Sequence, residues 1–289
     1  MHDIRHLLIL GCGYVGERLA MAALAKGIRV TGTTRSPERA EALRTLGLEA
    51  AVADSPADLP DTLSKICDAV LDSIPLAGDG DGLQAPQRRW MTALVSRFSH
   101  VRWAGYLSTT GVYGDADGAW VDESWACHPT GERGVRRLEA EAAWLGSGLP
   151  AEVFRIAGIY GPGRNIIAQL KQGRYRAVRW QTPHWSNRIH VDDIVAALLS
   201  AMVRPRPGRI VNLSDDVPLP HADYVLELAQ LVGAPAPLIL DAAQAERELS
   251  LATLAFFRDN KRVSNALLHR ELLPELRYAS FREGAATLR

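Results

Sequence analysis

The residues His6–Gly16 have the sequence HLLILGCGYVG, in which an apolar run ends at the first of three spaced glycines. An apolar run followed by Gly11-x-Gly13-x-x-Gly16 and an amphipathic segment is typical of a buried strand, a tight turn and a helix that bind a pyrophosphate. Gly11 permits the turn, Gly13 lets the backbone approach phosphates, and Gly16 lets the helix pack on the strand. The alternative is an ordinary structural turn. The predicted cofactor contacts in this stretch are Gly11, Cys12, Gly13, Tyr14, Val15 and Gly16.

The composition excludes several classes of partner. Of the 289 residues, 47 % are apolar and 23 % are charged, and the net charge is zero. Overall charge therefore favours neither a nucleic acid nor a membrane surface as partner. Cys12, Cys67 and Cys127 are far apart, which argues against a disulfide framework or a zinc site and favours a reducing compartment. With no signal peptide and no apolar run of membrane-spanning length in the sequence, we predict a cytoplasmic protein.

Apolar runs alternate with helical patterns along most of the chain, which predicts parallel strands joined by right-handed crossovers. We predict a Rossmann-type doubly wound α/β sheet with a small C-terminal substrate lobe. Residues 1–157 form the predicted dinucleotide-binding domain and residues 158–289 mainly the lobe, with 188–213 returning to the sheet. The later predicted strands are Ile28–Thr33, Leu48–Ala53, Ala69–Leu71, Val101–Leu107, Leu149–Ile156 and Arg209–Leu213. The Gly- and Asp-rich segment Leu76–Ala85 is predicted to be a flexible loop.

The end of the second strand distinguishes the two nicotinamide cofactors. An NAD site usually has Asp or Glu about 20 residues after the glycines, where it binds the ribose 2′-hydroxyl. This chain has Thr34, Arg35 and Ser36 there, and a guanidinium with hydroxyls suits a 2′-phosphate, so the sequence favours NADP(H). The alternative is that Arg35 is a solvated loop charge. Asp54, which would accept a bond from adenine or cap a helix, and Ser73 and Ile74, after the fourth strand, complete the predicted contacts.

Hydroxyl groups follow the fifth predicted strand, at the edge of the sheet where nicotinamide would lie. From this point the sequence resembles the extended short-chain dehydrogenase/reductase family of nucleotide-sugar epimerases and dehydratases. The resemblance covers most of the chain. The matching motifs, besides the glycine turn, are Ser108–Gly114 (STTGVYG), Arg155–Gly163 (RIAGIYGPG), Arg188–Ile194 (RIHVDDI) and Asn260–Asn265 (NKRVSN).

The resemblance implies roles for particular residues, and it also exposes a departure. Thr109 takes the position of the family's Ser or Thr that bonds the reacting oxygen. The family's Tyr-x-x-x-Lys pair is replaced by Arg133 and Arg137. Arg137 would keep the cationic, ribose-binding role of the Lys, but Arg133 cannot replace the Tyr because a guanidinium stays protonated and cannot shuttle a proton.

The sequence allows two interpretations of Arg133 and Arg137. Arg133 would bind an anionic substrate while Arg137 stabilises an oxyanion. Alternatively, both belong to a solvated helix face with Glu132, Arg136 and Glu139, where charges three or four residues apart pair. Tyr113 and Tyr160 are the candidates for the missing proton carrier, although each is more simply a packing aromatic.

The second half of the chain offers two phosphate-binding candidates. In the resembled family this region holds a nucleotide diphosphate, so the resemblance implies phosphate contacts at Arg164 and Arg188. Asp192 is predicted to cap a helix at 193–203, which disfavours a metal site with His190 and Asp193. In the last third, His221 is predicted to be a surface residue, and Phe256 and Phe257 are predicted to lie in the core.

The sequence thus predicts an NADP(H)-dependent oxidoreductase or epimerase/dehydratase-like enzyme that acts on a carbonyl or secondary alcohol of a small-molecule substrate, with an anionic group on that substrate as a further expectation. The alternative is a non-catalytic NADP(H)-binding sensor or regulatory protein, an interpretation favoured by the missing Tyr. A homodimer through the helices after the fourth and fifth strands is a further expectation. No metal is expected.

Overall fold

The computed structural model describes residues 4–79 and 82–288. The chain divides into two compact units, each made of several segments. The sheet unit comprises Met1–Thr109, Val135–Arg155 and Ile194–Val211, and the second unit comprises Thr110–Gly134, Ile156–Asp193 and Asn212–Arg289. The division into a dinucleotide-binding domain at 1–157 and a substrate lobe at 158–289 stays a prediction.

The predicted Rossmann-type sheet is confirmed. Within the described residues it has seven parallel strands in the order β3-β2-β1-β4-β5-β6-β7. Each predicted strand is present, with ends that differ by at most two residues. The strands are β1 (His6–Leu10), β2 (Arg29–Thr34), β3 (Glu49–Val52), β4 (Ala69–Asp72), β5 (Trp103–Thr109), β6 (Ala151–Ile156) and β7 (Ile210–Leu213).

Helices flank or follow these strands, as the alternating pattern predicts. Ser36 caps the second helix, with its Oγ accepting the N–H of Arg39 at 3.1 Å. In the described residues the helices are α1 (Tyr14–Leu24), α2 (Pro37–Thr45), α3 (Asp61–Ile66), α4 (Gln87–Phe98), α5 (Glu132–Leu145), α6 (Ile167–Lys171), α7 (Val191–Val203), α8 (His221–Leu231), α9 (Ala242–Glu248), α10 (Leu251–Phe256), α11 (Ala266–Glu271) and α12 (Phe281–Ala285). No helix of these residues is long and apolar enough to cross a membrane.

The core of the sheet unit surrounds a buried carboxylate at the end of β4. Asp72 is fully buried, and its oxygens accept bonds from Ile74 N–H, Gln87 Nε2 and Trp144 Nε1, each at 2.9 Å. Burial raises the pKa of Asp72. Three donors satisfy this carboxyl group, so the chain immediately after β4 has a fixed direction toward Ile74.

The second unit is built from helices and short strand pairs. Gly158–Tyr160 pairs with Arg188–His190, Arg176–Val178 with Leu238–Leu240, Trp185–Ser186 with Leu219–Pro220, and Trp120–Val121 with Arg262–Val263. Because α7 begins at Val191, the prediction that Asp192 is its N-cap is wrong. Asp192 lies in the first turn, where its N–H donates to Nδ1 of His190 at 3.1 Å.

Three other local predictions differ from the structure in whole or in part. His221 is buried rather than on the surface, because aromatic residues of α8 and α10 pack around it. Phe256 is 60 % exposed, whereas Phe257 packs in a buried cluster with Val178. Part of the predicted loop at 76–85 forms an antiparallel pair, Ala77–Asp79 with Gly82–Gln84, while residues 80 and 81 lie outside the described residues.

Candidate functional site

The glycine turn after β1 has the geometry that its sequence predicts. Gly11 has a φ of +70°, and a Cβ added there would lie 2.8 Å from Cγ1 of Ile74. Thr33 on β2 fixes the turn: its Oγ1 accepts the N–H of Gly11, and its carbonyl oxygen accepts the N–H of Cys12, both at 2.9 Å. The turn therefore requires glycine at position 11 for both its backbone angle and its contact with Ile74.

The start of α1 is suited to an anion. Gly13 is the N-cap, and no side chain among the described residues caps the first N–H groups. A Cβ on Gly13 would have only Gly11 O within 4 Å, at 3.9 Å. Backbone donors at a helix N-terminus, with space for close approach, are the structural requirements for binding a pyrophosphate.

The remaining residues of the turn pack rather than point outward. A Cβ on Gly16 would lie 3.0 Å from Cγ2 of Ile9, so only glycine lets α1 approach β1 this closely. Cys12 and Val15 are buried, and burial raises the pKa of the Cys12 thiol to about 11. Cys12 is thus a neutral packing residue, whose backbone and not its sulfur faces the turn. The guanidinium carbon of Arg18 lies 3.9 Å from the centre of the Tyr14 ring.

At the end of β2 the predicted cofactor residues meet local partners. Arg35 is exposed, as is Asp54 at the end of β3. Thr34 Oγ1 accepts the N–H of Ser36 at 3.2 Å, and the Ser36 hydroxyl donates to the Glu38 carboxylate at 2.5 Å. Arg35 supplies the positive charge that suits a 2′-phosphate, but the negative charge of Glu38 is nearby and opposes it.

Thr109 is the last residue of β5, as its predicted role requires, and its neighbour Ser108 belongs to a buried network. The Ser108 hydroxyl donates to Glu141 on α5 at 2.5 Å, and Arg155 on β6 donates to the same carboxylate at 2.8 Å. This network joins α5 to the carboxyl end of β5. The sequence analysis missed it, because its members are 33 and 14 residues apart along the chain.

Arg133 and Arg137, the two arginines of α5 that the sequence analysis considered, have different environments. Arg133 is exposed on α5. Arg137 is half-buried, and its Nη1 donates to the Tyr106 hydroxyl at 2.9 Å and to the Leu107 carbonyl at 3.2 Å. The interpretation as a solvated helix face with paired charges therefore applies to Arg136, which pairs with Glu139 at 3.0 Å, but it does not apply to Arg137. Arg137 is therefore anchored to Tyr106 and Leu107 of β5, the strand that ends at Thr109.

Both tyrosines considered as proton carriers lie in the second unit with their hydroxyls bonded. Tyr113 is fully buried and donates to Oδ1 of Asn212 at 2.7 Å. Tyr160 donates to the Ser280 carbonyl at 3.3 Å, and burial raises its pKa. These bonds give each phenol a structural role.

The two predicted phosphate contacts differ in burial. Arg164 is exposed, whereas Arg188 is buried with its guanidinium 3.5 Å from the centre of the Tyr224 ring. Within the described residues, none of the three guanidinium nitrogens of Arg188 has a hydrogen-bond partner. The same is true of both carboxylate oxygens of Asp215, a buried residue that the sequence analysis missed.

The motif Asn260–Asn265 has a structural explanation. Lys261 is buried, and its Nζ donates to the Gly114 carbonyl at 2.7 Å. Asn260 accepts the N–H of Trp185 at 2.8 Å and donates to the Pro183 carbonyl at 3.0 Å. The motif thus fixes the segment after Tyr113 to the loop before the strand at Trp185.

Together, the parallel sheet, the glycine turn and the hydroxyls at the end of β5 define a nicotinamide-dinucleotide-binding protein of the doubly wound class. The chain belongs to the NAD-dependent epimerase/dehydratase family, whose sequence model matches residues 7–214. Membership of this family indicates that the chain is an NAD(P)-dependent enzyme of the epimerase/dehydratase type.

Individual relatives are similar to the chain over most of its length. Protein YeeZ of Escherichia coli K12 is 29 % identical over 247 residues, which are 81 % of this chain and 86 % of that protein. A conserved protein of unknown function from Silicibacter pomeroyi is 37 % identical, with a TM-score of 0.88 over 98 % of both chains. The dTDP-glucose 4,6-dehydratase DesIV of Streptomyces venezuelae, solved with bound NAD, shares the fold with a TM-score of 0.76 over 98 % of this chain and 95 % of its own, at 17 % identity.

Proposed function

We propose that the chain is an NADP(H)-dependent oxidoreductase or epimerase/dehydratase-like enzyme that acts on a carbonyl or secondary alcohol of an anionic small molecule. The observation that carries the proposal is the glycine turn, with Gly11 in the left-handed region and the first N–H groups of α1 without a side-chain cap among the described residues. These residues fit a dinucleotide: Gly11–Gly16 would hold its pyrophosphate. The bound nicotinamide would supply or accept a hydride.

Residues at the carboxyl end of β5 would orient the substrate and cofactor. Thr109 would donate a hydrogen bond to the reacting oxygen. Arg137, held by Tyr106 and Leu107, would direct its remaining donors and its positive charge to the nicotinamide ribose. In the second unit, Arg188 would bind a phosphate of the substrate, since its buried guanidinium has no hydrogen-bond partner within the described residues.

A second candidate is a non-catalytic NADP(H) sensor. It is favoured by the bonds that hold the hydroxyls of Tyr113 and Tyr160 to Asn212 and Ser280, because a phenol engaged in this way is a poor proton carrier.

The test is a fluorescence titration of the purified chain with NADPH and with NADH, followed by addition of aldehydes, ketones and nucleotide sugars to the tighter complex. Oxidation of NADPH by any of these carbonyls supports the enzyme. Tight NADPH binding without turnover supports the sensor, and the absence of binding by either nucleotide contradicts both.

Replacement of Arg35 tests the cofactor preference. We expect Arg35→Ala to weaken NADPH binding about tenfold and to leave NADH binding unchanged, because a charge-assisted bond to the 2′-phosphate contributes about 1.5 to 3 kcal/mol. Arg44→Ala is the matched control, since Arg44 is also exposed but lies near the end of α2, where it pairs with Glu41 at 3.0 Å. Equal affinities of Arg35→Ala and the control for NADPH would remove the basis for NADP(H) preference.

Replacement of Thr109 tests the catalytic assignment. Thr109→Val keeps the branched shape of the side chain but removes the hydroxyl, so we expect kcat to fall about tenfold or more while the affinity for NADPH is retained. Thr110→Val, at the next residue, is the control and should keep the parent rate. The comparison uses initial rates with the best carbonyl from the panel. If the two variants have the same rate, Thr109 does not bond the reacting oxygen.

A further inference from the structure

Arg188 and Asp215 are buried side chains of opposite charge in the second unit, and they lie close enough to interact electrostatically. The side chains are 4 % and 1 % exposed. Their backbones are joined, since the N–H of Asp215 donates to the Arg188 carbonyl at 2.6 Å. Yet neither the guanidinium nitrogens nor the carboxylate oxygens meet the distance and angle requirements of a hydrogen bond to another described residue, although the Tyr224 hydroxyl lies close enough to act on Arg188 and the Val217 N–H close enough to act on Asp215. Buried charged groups in this state require a ligand or water as partner.

The surroundings restrict which ligand can enter. Arg188 stacks on Tyr224 at 3.5 Å, and the ring of Phe281 lies 5.5 Å from the same guanidinium. The aromatic rings leave the edge of the guanidinium, where its N–H groups point, as the part that can bind an anion. An ionised Asp215, which already interacts electrostatically with Arg188, would repel that anion strongly because the environment is poorly solvated.

The geometry points to Asp215 as a specificity residue of the Arg188 subsite: a phosphate-bearing substrate binds Arg188 together with one proton on Asp215. This inference rests on the proposed function, which places a substrate phosphate at Arg188. The proton comes from solvent and adds to a carboxylate oxygen, and no other bond forms or breaks. The protonated carboxyl then becomes a hydrogen-bond donor to the phosphate, so that the repulsion is replaced by a second contact.

Asp215 is poised to take up this proton near neutral pH. Burial raises its pKa to about 7, although the positive charge of Arg188 acts in the opposite direction. A bound anion would raise the pKa further, so binding and protonation are linked. The other titratable and charged groups that act electrostatically on Asp215 or on its neighbour Asp216 are Tyr160, Asp216, Tyr224, His269, Arg282 and Glu283.

Most of these neighbouring groups keep one protonation state and so do not take up a proton when the ligand binds. His269 is the neighbour that requires a control variant. Burial raises the pKa of Tyr160 and of Tyr224, so both stay neutral at the relevant pH, and a bond from Ser280 lowers the pKa of Glu283, which stays ionised. His221 also lies near Arg188, but burial lowers its pKa to about 4 and keeps it neutral. His269 pairs with Asp216 at 2.7 Å, and although burial acts in the opposite direction, its bonds to Asp216 and to backbone carbonyls raise its pKa, so it requires a control variant.

The experiment is calorimetric titration of the full chain with UDP-glucose at several pH values from about 6 to about 8.5. Both phosphates of this probe are diesters, so neither titrates in the range, unlike a phosphomonoester with its second pKa of about 6. We expect the affinity to be constant below about pH 7 and to fall about tenfold per pH unit above it. Asp215→Asn should bind with an affinity that varies less than about twofold over the range, whereas the control His269→Gln should keep the parental profile.

A second measurement needs no variant. Titrations of the parent chain in two buffers of different ionisation enthalpy should show uptake of close to one proton per UDP-glucose bound at about pH 8. Binding that depends on Arg188, as judged by its loss in Arg188→Gln, but that is independent of pH and takes up no proton would overturn the role of Asp215 and leave the proposed function intact. Failure of the parent chain to bind UDP-glucose at any pH would overturn the phosphate subsite and, with it, this inference.

Discussion

Gly11→Ala is expected to weaken NADPH binding more than about a hundredfold and to lower the free energy of unfolding. The left-handed backbone conformation at φ +70° costs an alanine roughly 1–2 kcal/mol. In addition, the new Cβ would lie 2.8 Å from Cγ1 of Ile74 and 3.0 Å from its Cα. Asp72 fixes the backbone at Ile74, so the glycine turn must move instead. Movement of the turn removes several bonds to the pyrophosphate, each of about 1.5 to 3 kcal/mol.

The control for this variant separates backbone strain from the clash. Gly27 has a φ of +78°, and a Cβ added there meets no atom within 4 Å. Gly27→Ala should therefore have the same kind of backbone cost in urea unfolding but the parental affinity for NADPH. The two affinities are compared by fluorescence titration. If Gly11→Ala binds NADPH as tightly as Gly27→Ala, the glycine turn does not hold the pyrophosphate.

The sheet could be predicted because its determinants are local. Buried parallel strands are short apolar runs, and β1 is the clearest, with all five residues buried. The glycines after β1 identify the turn for the same reason, since a positive φ is a requirement of one residue. The support of that turn was not predictable. Asp72 receives bonds from Gln87 and Trp144, which lie 15 and 72 residues away in the sequence.

The candidate site shows the same division between local and distant determinants. Arg133 and Arg137 are four residues apart on α5, so helical periodicity places them on one face and cannot tell them apart. Their difference arises because Tyr106 and Leu107 of β5 accept bonds from Arg137. Arg188 could be identified through a motif. Asp215 could not, because its significance depends on burial beside Arg188, which only the folded chain reveals.

Glu141→Gln tests the buried network that joins α5 to β5 and β6, and it is expected to lower the free energy of unfolding by about 3–5 kcal/mol. Glu141 and Arg155 are only 2 % and 4 % exposed, and their N···O distance is 2.8 Å. The glutamine keeps the shape of the side chain, but its amide cannot neutralise the guanidinium, whose charge is then uncompensated in a poorly solvated site. Urea unfolding of the purified chain measures the loss.

Two comparisons make the result specific to burial. Glu139→Gln, on the same helix, removes a half-exposed partner of Arg136 at 3.0 Å and should cost less than about 1 kcal/mol. The double variant Glu141→Leu with Arg155→Met should recover at least half of the loss, because apolar side chains avoid the desolvation cost of the ion pair. Equal stabilities of Glu141→Gln and Glu139→Gln would mean that the buried charge is compensated elsewhere. In that case the position of Thr109 at the end of β5 would depend on the packing of α5 rather than on the ion pair.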